Sequence, residues 1–117
     1  MTVMRVRAIV VKQPWAELII AGTKSVENRS WLTHHRGPLA IVAGRDTSTL
    51  EALGLDVHRF ALGALIGVVD LVDVVENHES PWARDEHYHW TLANPRRLAE
   101  PVRVRGQQGM FTVELDS

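Results

Sequence analysis

The run Gly63-Ala64-Leu65-Ile66-Gly67-Val68-Val69-Asp70-Leu71-Val72-Asp73-Val74-Val75 constrains the fold more than any other part of the chain. It is rich in β-branched residues, which suit a pleated surface and lose rotamer freedom in a helix. It is the clearest strand in the sequence and exceeds the usual strand length of about 5–6 residues, so it is expected at the centre of a sheet. Gly63 and Gly67 mark tight bends or a bulge within it. The flanking segments are punctuated to match. Arg5 to Val11 reads as a strand that becomes more buried toward its end. Lys12 to Gly22 reads as a short helix, with Pro14 at the first helical position and Gly22 in the left-handed position just past the end. Trp15, Leu18 and Ile19 give that helix one apolar face. Further strands are expected over Lys24–Trp31, Leu39–Ala43, Tyr88–Leu92, Val102–Arg105 and Met110–Leu115. A second small helix is expected within Thr47–Leu55. His34–Pro38 and Ala93–Arg97 read as turns, and Glu76–Glu86 as a polar loop. The expected class is mainly β with small helices (α+β). Short connections favour a closed or nearly closed mixed β-barrel, which removes exposed strand edges.

The chain has 117 residues, of which 45% are hydrophobic, enough for one core, so residues 1–117 are expected to form a single domain. There is no cysteine, which excludes disulfides and cysteine-ligated zinc. The opening MTVMRVRAIVV has an apolar part too short for a signal-peptide core. No apolar stretch approaches the roughly 18 residues of a membrane span. A soluble, cytoplasmic protein is expected. The net charge of −1 argues against wholesale coating of nucleic acid. Its distribution is uneven, because residues 1–45 carry seven Lys/Arg against two Glu, and residues 46–95 carry two Arg against nine acids. Arg5, Arg7, Arg103 and Arg105 alternate along strand-like segments and either line up as a positive stripe or simply solvate a sheet face.

The chemistry concentrates in Gly22-Thr23-Lys24-Ser25-Val26-Glu27-Asn28-Arg29. In an extended segment Glu27, Arg29 and Trp31 share one face, and Lys24 joins Val26 on the other unless the turn at Gly22 re-aims it. A core strand rarely carries this much charge, because unpaired buried charge is costly. The segment is therefore either a solvated edge or the wall of a polar cleft.

Three groups of residues carry a family resemblance. They are Ile9-Val10-Val11-Lys12-Gln13-Pro14-Trp15-Ala16, then Gly22 through Trp31, then Arg36-Gly37-Pro38-Leu39. Together they resemble the ASCH domain of the PUA-like superfamily. The likeness continues through Gly63–Val75, Ser80-Pro81-Trp82, Leu92-Ala93-Asn94-Pro95 and Val104-Arg105-Gly106-Gln107. It implies a barrel of about six strands with helices packed outside. It also implies a cleft beside the first helix, lined by the Gly-x-Lys-x-x-Glu-x-Arg segment. ASCH domains are widely proposed to bind RNA. A few hydrolyse modified nucleosides such as N4-acetylcytidine at an amide bond, and others are reported as nucleases. Fold transfers across such a family more readily than activity does.

Within that frame Lys24 is the first candidate, either in proton transfer or as a cation that stabilises developing negative charge. Acting as a base takes burial or a neighbouring cation, which Arg29 supplies and Glu27 opposes. Glu27 departs from the hydrolase-like pattern, where the matching position carries a threonine. It suits orienting Arg29 or accepting a donor from a base edge. Hydrolase members also use a separate carboxylate, for which Asp70, Asp73 and Glu76 are candidates. A regular strand sends Asp70 and Asp73 to opposite faces, so only one of them can share a cleft with Lys24.

Arg29 and Arg36 are candidates for phosphate or base contacts, because guanidinium forks match phosphate oxygens in pairs. All four tryptophans (Trp15, Trp31, Trp82 and Trp90) are core candidates. Trp31, on the Glu27–Arg29 face, and Trp82, in a polar loop, are preferred for base stacking. Trp15, in the Gln-Pro-Trp motif, is counted with the binding residues. The resemblance places Gln13 and Asn94 near the cleft, where their amides either read a base or fix loops. The pairs His34/His35 and His87/His89 lack a completing ligand at any recognised spacing, so no metal is expected. No phosphate-binding loop or dinucleotide fingerprint appears, and no cofactor is implied. The leading expectation is an RNA- or nucleotide-binding module. The alternatives are a small amidohydrolase or nuclease, and a regulatory domain whose cleft takes a peptide or small effector.

Overall fold

The computed structural model describes residues 3–116. The elements follow as β1 (Val3–Val11), α1 (Trp15–Ile20), β2 (Val26–Arg29), β3 (Gly37–Ala43), α2 (Ser48–Ala52), a 3-10 turn (Val57–Arg59), β4 (Ala64–Val75), β5 (Tyr88–Arg103) and β6 (Phe111–Asp116). They build one six-stranded sheet in the order β2-β5-β4-β3-β1-β6. β1 and β3 are parallel, joined across α1 and β2, and every other pairing is antiparallel. The valine-rich run became β4, with β3 on one side and β5 on the other.

Alternation along the strands divides the core in two. On β3, Leu39, Ile41 and Ala43 join the cluster beneath α1, where Ile9, Ile19, Ile20 and Trp90 also pack. Ala40 and Val42 point the other way, to Val6, Ala8, Leu65, Phe111 and Val113. That second cluster also collects Leu98 from β5 and Leu115 from β6. Those strands lie far apart in the sheet order, so the sheet must curl strongly to bring them together. The result is barrel-like, in keeping with the PUA-like fold. β2 and β6 nevertheless remain its two edges and do not pair with each other, so the barrel is open rather than closed by hydrogen bonds.

The expected turn at Ala93–Arg97 proved to be a bulge. Tyr88–Leu92 and Val102–Arg105 are expected as separate strands, but one continuous strand, β5, takes in the first and ends at Arg103, within the second. Its register against β4 slips near each irregularity, between Val68 and Asp70 among others. Asn94 absorbs the extra residue at φ +50°, a left-handed conformation that asparagine tolerates better than most residues.

Gly67 lets this irregular strand and α1 share one stretch of β4. A Cβ there would lie 2.6 Å from the Arg96 carbonyl oxygen and 2.7 Å from Ile20 Cδ1. A bidentate pair from Arg97 to Glu17, at 2.9 and 2.5 Å, ties the helix to β5 from outside. Among the described residues no helix is long and apolar enough to cross a membrane.

Candidate functional site

The site begins where α1 ends. Gly22 takes φ +86°, which turns the chain back so that the Thr23 and Lys24 amides both donate to the Leu18 carbonyl. β2 starts only at Val26, so Lys24 lies before the strand and escapes its alternation. The lysine thereby reaches the same side as Glu27. Its Nζ donates to the Val26 carbonyl oxygen and, at 3.1 Å, to Glu27 Oε1. Glu27 Oε2 takes Arg29 Nη2 at 3.1 Å, and Arg29 Nη2 also donates to the Val10 carbonyl at 2.5 Å. Lys24 is 5% exposed and Glu27 9%. One carboxylate is therefore clamped between two cations in a largely dry setting, and the triad keeps a net positive charge.

Beside the triad opens a cleft of about 560 Å³, lined by Trp15, Lys24, Glu27, Arg29, Trp82 and Arg84 among others. That volume lies within the range of about 300–1,000 Å³ common for small-ligand sites. Trp15 and Trp82 meet edge to face across it, with ring centroids 6.2 Å apart and planes at 68°. Lys12 stands at the rim and pairs with Asp46 at 3.3 Å. The Asp46 carboxyl is pulled down to about 2, chiefly by the Ser48 side chain and backbone and then by Lys12.

The wall opposite α1 is the loop between β4 and β5, held by two side chains that sequence reasoning did not select. Asn28 Nδ2 donates to the Trp82 carbonyl at 2.9 Å, and Asn28 Oδ1 accepts the Arg84 amide at 2.9 Å. His89, 3% exposed, accepts the His78 amide at Nδ1 and bonds the Arg84 carbonyl through Nε2 at 2.6 Å. With Nδ1 an acceptor, that ring nitrogen carries no proton and Nε2 is the donor. His87, by contrast, lines the cleft, so the suspected histidine pair serves two different places. Among the described residues no three His, Cys, Asp or Glu side chains gather as metal ligands would.

The remaining sequence candidates lie elsewhere. Gln13 is 1% exposed. Its Oε1 caps α1 by accepting the Glu17 amide, and its Nε2 donates to the Ala61 carbonyl, so its amide fixes structure rather than facing a ligand. Trp31 packs edge-on against Trp90 at 4.8 Å and accepts the Trp90 indole through its carbonyl. It is part of the core boundary, and Trp15 takes the place beside Trp82 that was expected of it. Arg36 is occupied by the Thr33 and His35 carbonyls and by Asp73 at 3.4 Å. Asp70 is bound by Asn94 and Arg96, each at 3.0 Å, and these two donors hold its carboxyl below the usual range. Neither Asp70 nor Asp73 lines the cleft, and Glu27 is its sole carboxylate among the described residues. The four-arginine stripe does not assemble: Arg5 faces Glu114 at 3.7 Å and Arg7 bonds Thr112, whereas Arg103 lies on β5 opposite Ala64.

A curled mixed sheet with a short helix on one face, and a recessed basic and aromatic cleft beside that helix, defines a small PUA-like domain. The chain belongs to the ASCH domain family, which matches residues 9–102. It is 40% identical to activating signal cointegrator 1 of Homo sapiens over 125 residues, covering 89% of this chain and 22% of that protein. The Mus musculus counterpart is likewise 40% identical, over 87% of this chain and 21% of its own length. The chain thus spans about a fifth of these relatives. The crystal structure of ASCH from Zymomonas mobilis superposes with a TM-score of 0.63 at 14% identity, covering 92% of this chain and 86% of that one. A single-substitution variant of the same protein gives a TM-score of 0.63 over 92% and 88% of the two chains.

Proposed function

We propose that this domain binds single-stranded RNA through the cleft between α1 and the β4–β5 loop. The observation that carries the reading is the Trp15–Trp82 corner facing the Lys24–Glu27–Arg29 triad within one cavity. An unpaired base stacks on an indole in a sequence-tolerant way, worth about 1–3 kcal/mol. An ammonium has three donors. Two of those on Lys24 are engaged, and the third remains for an acceptor on the ligand. Arg84, exposed and without a carboxylate partner among the described residues, adds positive charge at the rim. Single strands suit this geometry because their bases are free to splay out of a stack.

Binding is favoured over amide hydrolysis by the carboxylates. Hydrolase chemistry of the family type asks for a carboxylate separate from the lysine motif. Among the described residues the cleft offers only Glu27, already committed to both cations. A fluorescence titration with short single-stranded RNA at several salt concentrations tests the reading. Affinity is expected to fall linearly with salt on logarithmic axes, with a slope of about −0.7 per phosphate contacted. Affinity at low salt no greater than that of a protein lacking a basic cleft would refute it.

A further inference from the structure

A second hollow, of about 830 Å³, lies on the other side of Arg29 and shares Val10 and Arg29 with the first. Resting on the reading of the first as a base-binding cleft, we propose that the second is a track for the phosphodiester backbone of the same strand. The ligand is then an RNA of two or more nucleotides rather than a free nucleoside.

Charge carries the argument. Arg29, Arg45 and Arg105 line this hollow, and among the described residues no aspartate or glutamate does. Away from the two hollows, Arg5, Arg36, Arg59, Arg96 and Arg97 are each paired with a carboxylate. Arg45 and Arg105 are exposed and have no such partner among the described residues. Arg7 and Arg103 also lack a carboxylate partner among the described residues, but they lie away from this groove, and Arg7 bonds Thr112. Arg29 stands where the hollows meet, with its Nε buried and unpaired among the described residues. A donor in that state is costly until a polar atom or water reaches it.

Glycines contribute four of the groove's described lining residues. Gly44 follows β3, Gly63 precedes β4 and Gly106 follows β5, so three chain segments converge at one end of the sheet. A Cβ would lie 3.0 Å from Val10 Cγ1 at Gly44, 2.8 Å from Val10 Cγ2 at Gly106 and 2.7 Å from Arg45 Nε at Gly63. Side chains at these positions would collide with the valine and arginine that shape the wall. Glycine is the residue that permits such close backbone approach. The groove has no aromatic residue among its described lining, whereas its neighbour has Trp15 and Trp82, as a backbone track should differ from a stacking site.

The test uses the whole chain and a uridine strand of about six nucleotides, within the usual single-strand site sizes. Affinity is read across a salt series for the wild type, for Arg45→Ala/Arg105→Ala, and for Arg5→Ala/Arg7→Ala as a control of equal charge. The first variant is expected to bind about tenfold more weakly, with a salt slope shallower by about 1.4, the loss of two phosphates. The control is expected to keep the wild-type slope. All four arginines are exposed, and the fold of each variant is checked by its unfolding midpoint. An unchanged slope in Arg45→Ala/Arg105→Ala, with the wild type still binding, overturns the track and leaves the cleft reading intact. An equal loss in the control shows a general charge effect and also overturns it. A wild type that does not bind the strand refutes both.

Discussion

Replacing Glu27 with alanine is expected to destabilise the domain by about 3–5 kcal/mol, the usual consequence of removing one partner from a buried ion pair. The side chains of Lys24 and Glu27 are 6% and 11% exposed, and that of Arg29 is 20% exposed. Without the carboxylate, two cations face each other at the head of β2 with no counter-charge and little water. Chemical denaturation should show the loss as a shifted midpoint with an unchanged slope. A loss under about 1 kcal/mol would mean that the triad behaves as an exposed network, whose pairs are each worth about 0–1 kcal/mol. Removing all three charges together has a different outcome. Lys24→Met/Glu27→Leu/Arg29→Met should remain folded at near wild-type stability, since apolar replacement of a whole buried ionic cluster is often neutral or stabilising. It should no longer bind RNA. The contrast separates what the triad does for the fold from what it does for the ligand.

The second large effect concerns Trp82. Truncation to alanine removes one of the two indoles at the cleft corner and should weaken RNA binding by about 1–3 kcal/mol, or about five- to 150-fold. The salt slope should not move, because no phosphate contact is lost. Trp82→Phe should recover most of the affinity by restoring an aromatic face. Trp15 is a less clean site for the same experiment, because its ring also packs against the core beneath α1. Phenylalanine is the appropriate change there. Unaltered affinity in Trp82→Ala, or a shallower slope in place of weaker binding, would contradict stacking at this corner.

Local features of the sequence carried most of the architecture. The β-branched run at Ala64–Val75, the Pro-Trp start and Gly22 end of α1, and the closely spaced Lys24, Glu27 and Arg29 all express themselves within a few residues. What stayed hidden depends on distant parts of the chain. Trp82 reaches the cleft only because Asn28, 54 positions earlier, bonds its carbonyl, and because His89 holds the same loop through Arg84 and His78. Nothing in an isolated Asn-Arg or His-Tyr-His string announces those contacts. Trp31 shared the expected face with Arg29, but β2 ends at Arg29, and the ring turns onto Trp90. Asp70 and Asp73 were weighed by strand alternation alone. Their fates were set by Asn94 and Arg96 across a bulge and by Arg36 on the approach to β3. The strand continuing through Asn94 was unreadable for the same reason, because a bulge and a turn draw on the same residue types.

The indole N–H resonances offer the most direct view of the site. The chain has four tryptophans; two line the cleft, and two pack on each other away from it. In a nitrogen-15 NMR titration with short single-stranded RNA, the signals of Trp15 and Trp82 should shift together and saturate. Those of Trp31 and Trp90 should hold still. Movement of Trp31 and Trp90 while Trp15 and Trp82 stay fixed would place the ligand somewhere other than this cleft and contradict the account.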